Sequence, residues 1–316
     1  IESAGGAVNA ATSFDYTMYY ADMPADKWLV GLEVIQDMIF GAKFDAGELS
    51  SEKQVVLSEI DRGRDDPQDV MFQDLQALLW PGAGYERPII GFRDTVSGFG
   101  GEDLRRYIAR WYQPQSMLLV VAGKVDATDV LQKAEEVFGG MVNDRTITPP
   151  MALVRAPGSR PEIKVEFGEW NKVYLSLAFP TAGMRSPDEA ALEIFAQLLG
   201  GDETSRLYRT FKYEKRLVDQ ISASSMTLER GGVLYIGATL DAANLDTFWK
   251  ELMANLASLR AEDFTDREIE RAKLNLEDGL FRAKETIPGL ASKFGTFLFY
   301  GYGIEGEANY LRASSQ

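Results

Sequence analysis

The sequence predicts an α+β fold built as a duplicated domain, with largely antiparallel sheet layered with helices. Three observations carry this. Runs with strand patterning and amphipathic helical runs are mixed along all 316 residues, and adjacent strands are joined by turns too short for a parallel crossover. A Pro-containing stretch divides the chain near its middle. A gapless shift of 220 positions lays apolar residues of one half on those of the other.

In chain order, Ala4-Gly5-Gly6-Ala7 signals a turn. Val8 to Tyr20 is rich in Thr, Tyr and Phe, with Tyr16, Met18 and Tyr20 alternating, as in two strands or one bent strand. Pro24-Ala25-Asp26 opens a helix to about Phe40, with Trp28, Leu32, Ile35 and Ile39 on one face. Helices follow over Ala46 to Arg62, from Pro67 to before Pro81, and over Asp103 to Trp111, the last after a Gly- and Pro-punctuated loop from Gly82 to Gly101. Met117 to Gly123 is the longest apolar run and reads as a strand before a helix from Ala127 to Phe138.

Residues 142–162 read as a linker, with Pro149, Pro150, Pro157 and Pro161 among polar residues. They separate a first domain, residues 1–141, from a second, residues 163–316. In the second, Lys172 to Phe179, Leu217 to Met226 and Gly232 to Leu240 are strands. Helices are expected at Ser186 to Leu199, Ser205 to Tyr213, Leu245 to Leu259 and Asp266 to Lys284.

The shift pairs Trp28 with Phe248, Leu32 with Leu252, Phe44 with Phe264, Glu48 with Glu268 and Val56 with Leu276. The mismatches single out two residues. Glu52 falls on Ala272 and Glu59 on Gly279. Seven residues apart on a helix, the two carboxylates share nearly one face. Beside an apolar face, a carboxylate is costly unless a metal ion or a proton relay engages it. The alternative is a pair of solvated surface glutamates.

Composition narrows the chemistry. Net charge is −15, which disfavours nucleic acid and acidic lipid surfaces as partners. No apolar run approaches the ~20 residues of a membrane span. The chain has no Cys and no His, so it holds neither a thiol or Ser-His-Asp centre nor a complete His-containing zinc site. Lack of Cys is compatible with cytoplasm or periplasm alike.

Gly5 to Thr17 resembles the strand segment after the zinc helix of pitrilysin/insulinase-type peptidases, and Glu52-Lys53-Gln54-Val55-Val56-Leu57-Ser58-Glu59-Ile60 resembles the helix bearing their third zinc ligand. Arg87-Pro88-Ile89-Ile90-Gly91, Trp111-Tyr112-Gln113-Pro114, Val120 to Asp126, Leu198-Leu199-Gly200-Gly201 and Ser205-Arg206-Leu207-Tyr208 follow in the family's order. The similarity covers nearly the whole chain and is nearest to the bacterial branch with two such domains.

This resemblance implies a Zn²⁺-dependent metalloendopeptidase acting on extended or unfolded peptides. Glu59 would be a metal ligand and Glu52 a supporting carboxylate of the catalytic site. Asn9, Ala10, Ala11 and Thr12 would form the sheet edge on which a peptide adds as a strand. The family's His-x-x-Glu-His helix is absent from the sequence, where it would precede Ile1, and the second domain is expected to stop short near Tyr310 to Gln316. The chain by itself is therefore expected to be inactive, with metal absent or weakly held. Many active relatives carry an Arg and a Tyr where Lys212 and Asp219 stand here, so a related subunit in a homo- or heterodimer is an expected partner. The other reading is a non-catalytic scaffold or substrate-binding subunit.

Overall fold

The computed structural model describes residues 1–142 and 161–315; most of the expected linker lies outside the described residues. In chain order the elements are β1 (Ala7–Thr12), β2 (Thr17–Asp22), α1 (Trp28–Phe40), α2 (Ala46–Asp65), α3 (Pro67–Leu79), α4 (Arg93–Gly98), α5 (Gly101–Trp111), α6 (Ala127–Phe138), β3 (Val173–Thr181), α7 (Glu189–Ala196), β4 (Gln220–Leu228), β5 (Gly231–Leu240), α8 (Leu245–Ser258), α9 (Asp266–Arg282), α10 (Ile287–Phe299) and α11 (Gly306–Ser315). Helix and antiparallel sheet are mixed, as the α+β prediction requires.

Local chemistry starts the helices where the sequence places them. Asp66 caps α3 by accepting from the Gln68 N–H at 2.8 Å, with Pro67 at the first helical position. Asp126 caps α6 through the N–H groups of Thr128 and Asp129. Thr265 and Glu268 form a reciprocal box at the start of α9: the Thr265 N–H donates to Glu268 Oε2 at 2.9 Å, and the Glu268 N–H to Thr265 Oγ1 at 3.3 Å.

The chain divides into two compact units. One holds residues 1–62, 283–299 and the described part of 89–150; the other holds residues 63–88, 300–315 and the described part of 151–282. In the first, β1 and β2 form an antiparallel hairpin with Ala10 opposite Tyr19 and Thr12 opposite Thr17. Gly31 of α1 packs closely on Ala21 and Met23, where an added Cβ would come within 2.8 Å of a Met23 side-chain carbon. Among this unit's described residues the buried apolar side chains are Leu32, Ile39, Leu57 and Val96.

The second unit contains a three-stranded antiparallel sheet in the order β3-β5-β4, with Ile236 opposite both Leu177 and Ala223. Its core gathers Leu199, Leu207, Phe211, Ile236, Leu240, Phe248 and Leu252. Phe211 and Phe248 meet edge to face at 5.2 Å between centroids. Gly200 lies so near β4 that a Cβ there would stand 2.2 Å from the Ala223 nitrogen, so only glycine fits.

The same order of elements recurs in both units. A hairpin, a 3₁₀ turn and two helices appear as β1-β2, Ala25–Lys27, α1 and α2, and again as β4-β5, Ala242–Asn244, α8 and α9. Leu32 and Leu252, matched by the 220-residue shift, are buried in α1 and α8.

Three details depart from the sequence reading. Met117 to Gly123 carries no strand ladder, because no described strand pairs with it, and Leu118, Leu119 and Val121 remain exposed. The expected loop from Gly82 to Gly101 contains a 3₁₀ turn and α4; Val96 draws α4 inward, and Arg93 ties it to Asp61. Two of the expected helices contain π-helical turns, Gln197–Gly201 and Tyr208–Glu214.

Candidate functional site

Helix α2 exposes one stripe and buries another. Leu57 is buried, and Lys53, Val56 and Ile60 are partly buried; Glu52, Val55 and Glu59 are exposed. The inner stripe is fixed by Lys53, whose ammonium donates to the Ser97 and Phe99 carbonyls at 2.7 and 2.8 Å. Its position 5.5 Å from the Phe99 ring centroid adds a cation–π contact. Glu52 and Glu59 therefore stand on a rigid helix, about 10 Å apart along its axis. Neither carboxylate has a hydrogen bond or ion pair among the described residues.

That pair is not a zinc centre by itself. The chain has no His, and no cluster of three or more potential ligands occurs among the described residues. One exposed carboxylate donor does not fit a site that needs three protein ligands.

The hairpin presents β1 as an edge. Among the described residues β1 pairs only with β2, and Asn9, Ala10, Ala11 and Thr12 are all exposed. Side chains on this strand are small, so another backbone can approach. The Ala10 N–H donates to its neighbour's Asn9 Oδ1 at 2.8 Å. Opposite Ala10, Tyr19 shares a hydrogen bond with the Tyr112 hydroxyl at 3.0 Å. Burial is the main reason the Tyr19 phenol is held well above its ordinary pKa, and the bond to Tyr112 reinforces it. Tyr19 was not singled out in the sequence, although Tyr112 lies in the recognisable Trp111-Tyr112-Gln113-Pro114 run.

In the other unit, Lys212 and Asp219 are individually engaged. Lys212 sits over the Tyr208 ring at 4.7 Å and reaches Gln220 Oε1 at 3.5 Å. Its pKa is raised, first by the Tyr208 hydroxyl. Asp219 pairs with Lys172 at 2.8 Å, and Lys172 also holds Asp241. A carboxylate accepts where a tyrosine would donate, so these two residues do not form a pair of donors.

Comparison with known proteins places this architecture in a class. Residues 99–276 match the family described as the peptidase M16 inactive domain, and residues 1–92 match insulinase, peptidase family M16. The chain belongs to the insulinase/pitrilysin family of peptidases. It is 28% identical to the uncharacterized zinc protease YmxG of Bacillus subtilis, over 92% of this chain and 70% of that protein. With the zinc protease PqqE of Helicobacter pylori identity is 25%, over 99% of this chain and 71% of that protein. For an uncharacterized zinc protease of Mycobacterium leprae the identity is 25%, over 93% of this chain and 66% of that protein. The chain thus spans about two thirds of these relatives' lengths.

Solved structures share the fold. A protease from Helicobacter pylori superposes with a TM-score of 0.88 at 22% identity, over 99% of this chain and 76% of that one. A peptidase M16 inactive domain from Pseudomonas fluorescens gives 0.86 at 18% identity, over 99% and 75%. A chain of Complex III2 from Candida albicans gives 0.79 at 16% identity, over 98% and 76%.

Proposed function

We propose that this chain is part of a zinc-dependent metalloendopeptidase that hydrolyses extended peptides. The observation that carries the reading is the family match, whose relatives are named zinc proteases, together with Glu52 and Glu59 on one face of α2; both carboxylates are solvent-exposed, so the pair taken without the family match reads equally as solvated surface glutamates. Glu59 would serve as one Zn²⁺ ligand and Glu52 as a supporting carboxylate. The remaining donors would come from a segment not contained in this sequence, and the chain by itself would be inactive. The β1 edge, unpaired among the described residues, supports recognition of an extended peptide, because main-chain hydrogen bonds bind any sequence. The test compares the full-length protein with its Glu59→Ala variant, reading zinc content by mass spectrometry and cleavage of a quenched extended peptide. Loss of both zinc and cleavage is expected. A full-length protein that keeps stoichiometric zinc after the substitution would overturn the assignment of Glu59.

A second reading, a non-catalytic scaffold or substrate-binding subunit of a peptidase or processing complex, is favoured by Lys212 and Asp219. Lys212 can donate but is engaged with Tyr208 and Gln220, and Asp219 is an acceptor held by Lys172, so the two do not supply a pair of donors to a substrate oxyanion. Full-length protein that binds peptide but neither holds zinc nor cleaves would establish it. A homo- or heterodimer with a related subunit that supplies the donors would reconcile both readings, and its cleavage activity would depend on that partner.

A further inference from the structure

Segment 208–216 is a basic stretch in an acidic chain. Four of its nine residues are cationic, namely Arg209, Lys212, Lys215 and Arg216, against the single carboxylate of Glu214, in a chain of net charge −15. Phe211 is fully buried and roots the segment in the core. Tyr213 beside it is 55% exposed and stacks edge to face on Tyr208 at 5.4 Å. The charged groups therefore project from a fixed base.

The segment ends in a strained residue. The Leu217 N–H donates to the Phe211 carbonyl at 2.9 Å, closing the helix over six residues. This closure places a left-handed residue just before Leu217, and Arg216 takes it with φ 53°. Glycine adopts that conformation readily, whereas a side chain there meets the following carbonyl. Among the described residues, two other non-glycine residues have positive φ, and each has a local reason. The Arg185 N–H donates to Glu189 and Tyr302, and Phe44 is partly buried against Gly101. Arg216 is exposed and has no ion pair or hydrogen bond among the described residues. Nearby cations are partly used: Lys215 pairs with Glu251, and Arg209 stands 3.9 Å from Glu214.

We propose that segment 208–216 is a docking surface for an acidic peptide segment, with Arg216 as its anchor and Arg209 and Lys212 as flanking contacts. A guanidinium grips a carboxylate through two parallel N–H donors, which an ammonium does not reproduce. The net charge of −15 repels such a peptide at a distance, so binding rests on this local patch and is short-ranged. A phosphate backbone is a poorer fit, because its dense charge meets the whole acidic surface. A strained, solvent-facing arginine is retained at a cost in stability, as expected where the residue serves binding rather than folding.

The test uses the 316-residue chain and a fluorescein-labelled deca-glutamate peptide, with deca-glutamine as control, read by anisotropy. The glutamate peptide is expected to bind at about 50 mM salt and to be released at about 500 mM, where the Debye length falls to roughly 4 Å. Arg216→Gly relieves the strain, so it is expected to raise Tm by about 2 °C while weakening the glutamate peptide about tenfold. Arg216→Lys keeps charge but not the fork, and should fall between. No binding by the wild type, or unchanged affinity in a folded Arg216→Gly variant, overturns the proposal. Tighter binding of phosphatidylglycerol vesicles or a DNA oligomer than of the peptide also overturns it.

Discussion

Arg206 and Glu268 form one electrostatic joint: the guanidinium stands 3.1 Å from the Glu268 carboxylate and 4.4 Å from the Phe264 ring centroid. The same carboxylate accepts from the Thr265 N–H and hydroxyl, so one side chain both starts α9 and holds Arg206. The Thr265 backbone N–H is the main reason the Glu268 carboxyl is held down at about 2, with the Thr265 hydroxyl and Arg206 adding to it.

Glu268→Gln is expected to cost about 1–2 kcal/mol at pH 7, through loss of a cap and a charge-assisted contact. Because the folded pKa is depressed, the ionised group stabilises above the ordinary carboxylate range. That contribution is lost as pH falls from about 4.5 towards 2. Urea unfolding of wild type and variant at pH 7 and pH 3 checks this: the gap should narrow at pH 3.

Tyr310 donates to the largely buried carboxylate of Glu193, and Tyr302 donates to Glu189 at 2.5 Å. Burial is the main cause that raises Glu193, and the Tyr310 hydroxyl opposes it. Tyr310→Phe removes that donor, with an expected loss of about 1–3 kcal/mol at pH 7. A raised carboxyl binds its proton more tightly when folded, so acidification towards pH 5 should shrink the deficit. Thermal melts at both pH values decide it.

Phe248 and Phe211 are both fully buried at the centre of the second unit's core. Phe248→Ala is expected to cost about 3–5 kcal/mol through lost transfer energy and a residual cavity. Denaturant midpoints measure the loss, and near-ultraviolet circular dichroism should lose aromatic signal.

The Ala10 amide is occupied by the Asn9 side chain. In the full-length protein, Ala10→Pro deletes that donor and is expected to raise KM for an extended peptide about fivefold, roughly one hydrogen bond. Asn9→Ala frees the amide and should lower KM. Equal KM in both variants would remove β1 from substrate binding.

Much of this architecture is legible in the residues because periodicity reports burial. The alternation before Tyr20 became the β1-β2 hairpin, and the apolar spacing of Leu32 and Ile39 marked the inner face of α1. Glu52 and Glu59 were visible through their mismatch with Ala272 and Gly279, and α2 does place both on one exposed face. The strand expected at Met117 to Gly123 shows the limit, since apolar β-propensity makes a ladder only with a partner. The left-handed turn at Arg216 was equally hidden, because an arginine carries none of glycine's signal for it. Tyr302 and Tyr310 meet their glutamates across more than a hundred residues, a pairing that no local pattern encodes.

The β1 edge, unpaired among the described residues, carries a liability as well as a use. From Ala7 to Thr12 it has no charge and no proline to discourage a second strand, the usual safeguards against edge-to-edge growth. What separates one molecule from another is long-range repulsion from a net charge of −15, which vanishes near pH 4.6. Mild acidification should therefore turn a peptide-accepting edge into a seed for aggregation, with turbidity rising well before helix content is lost.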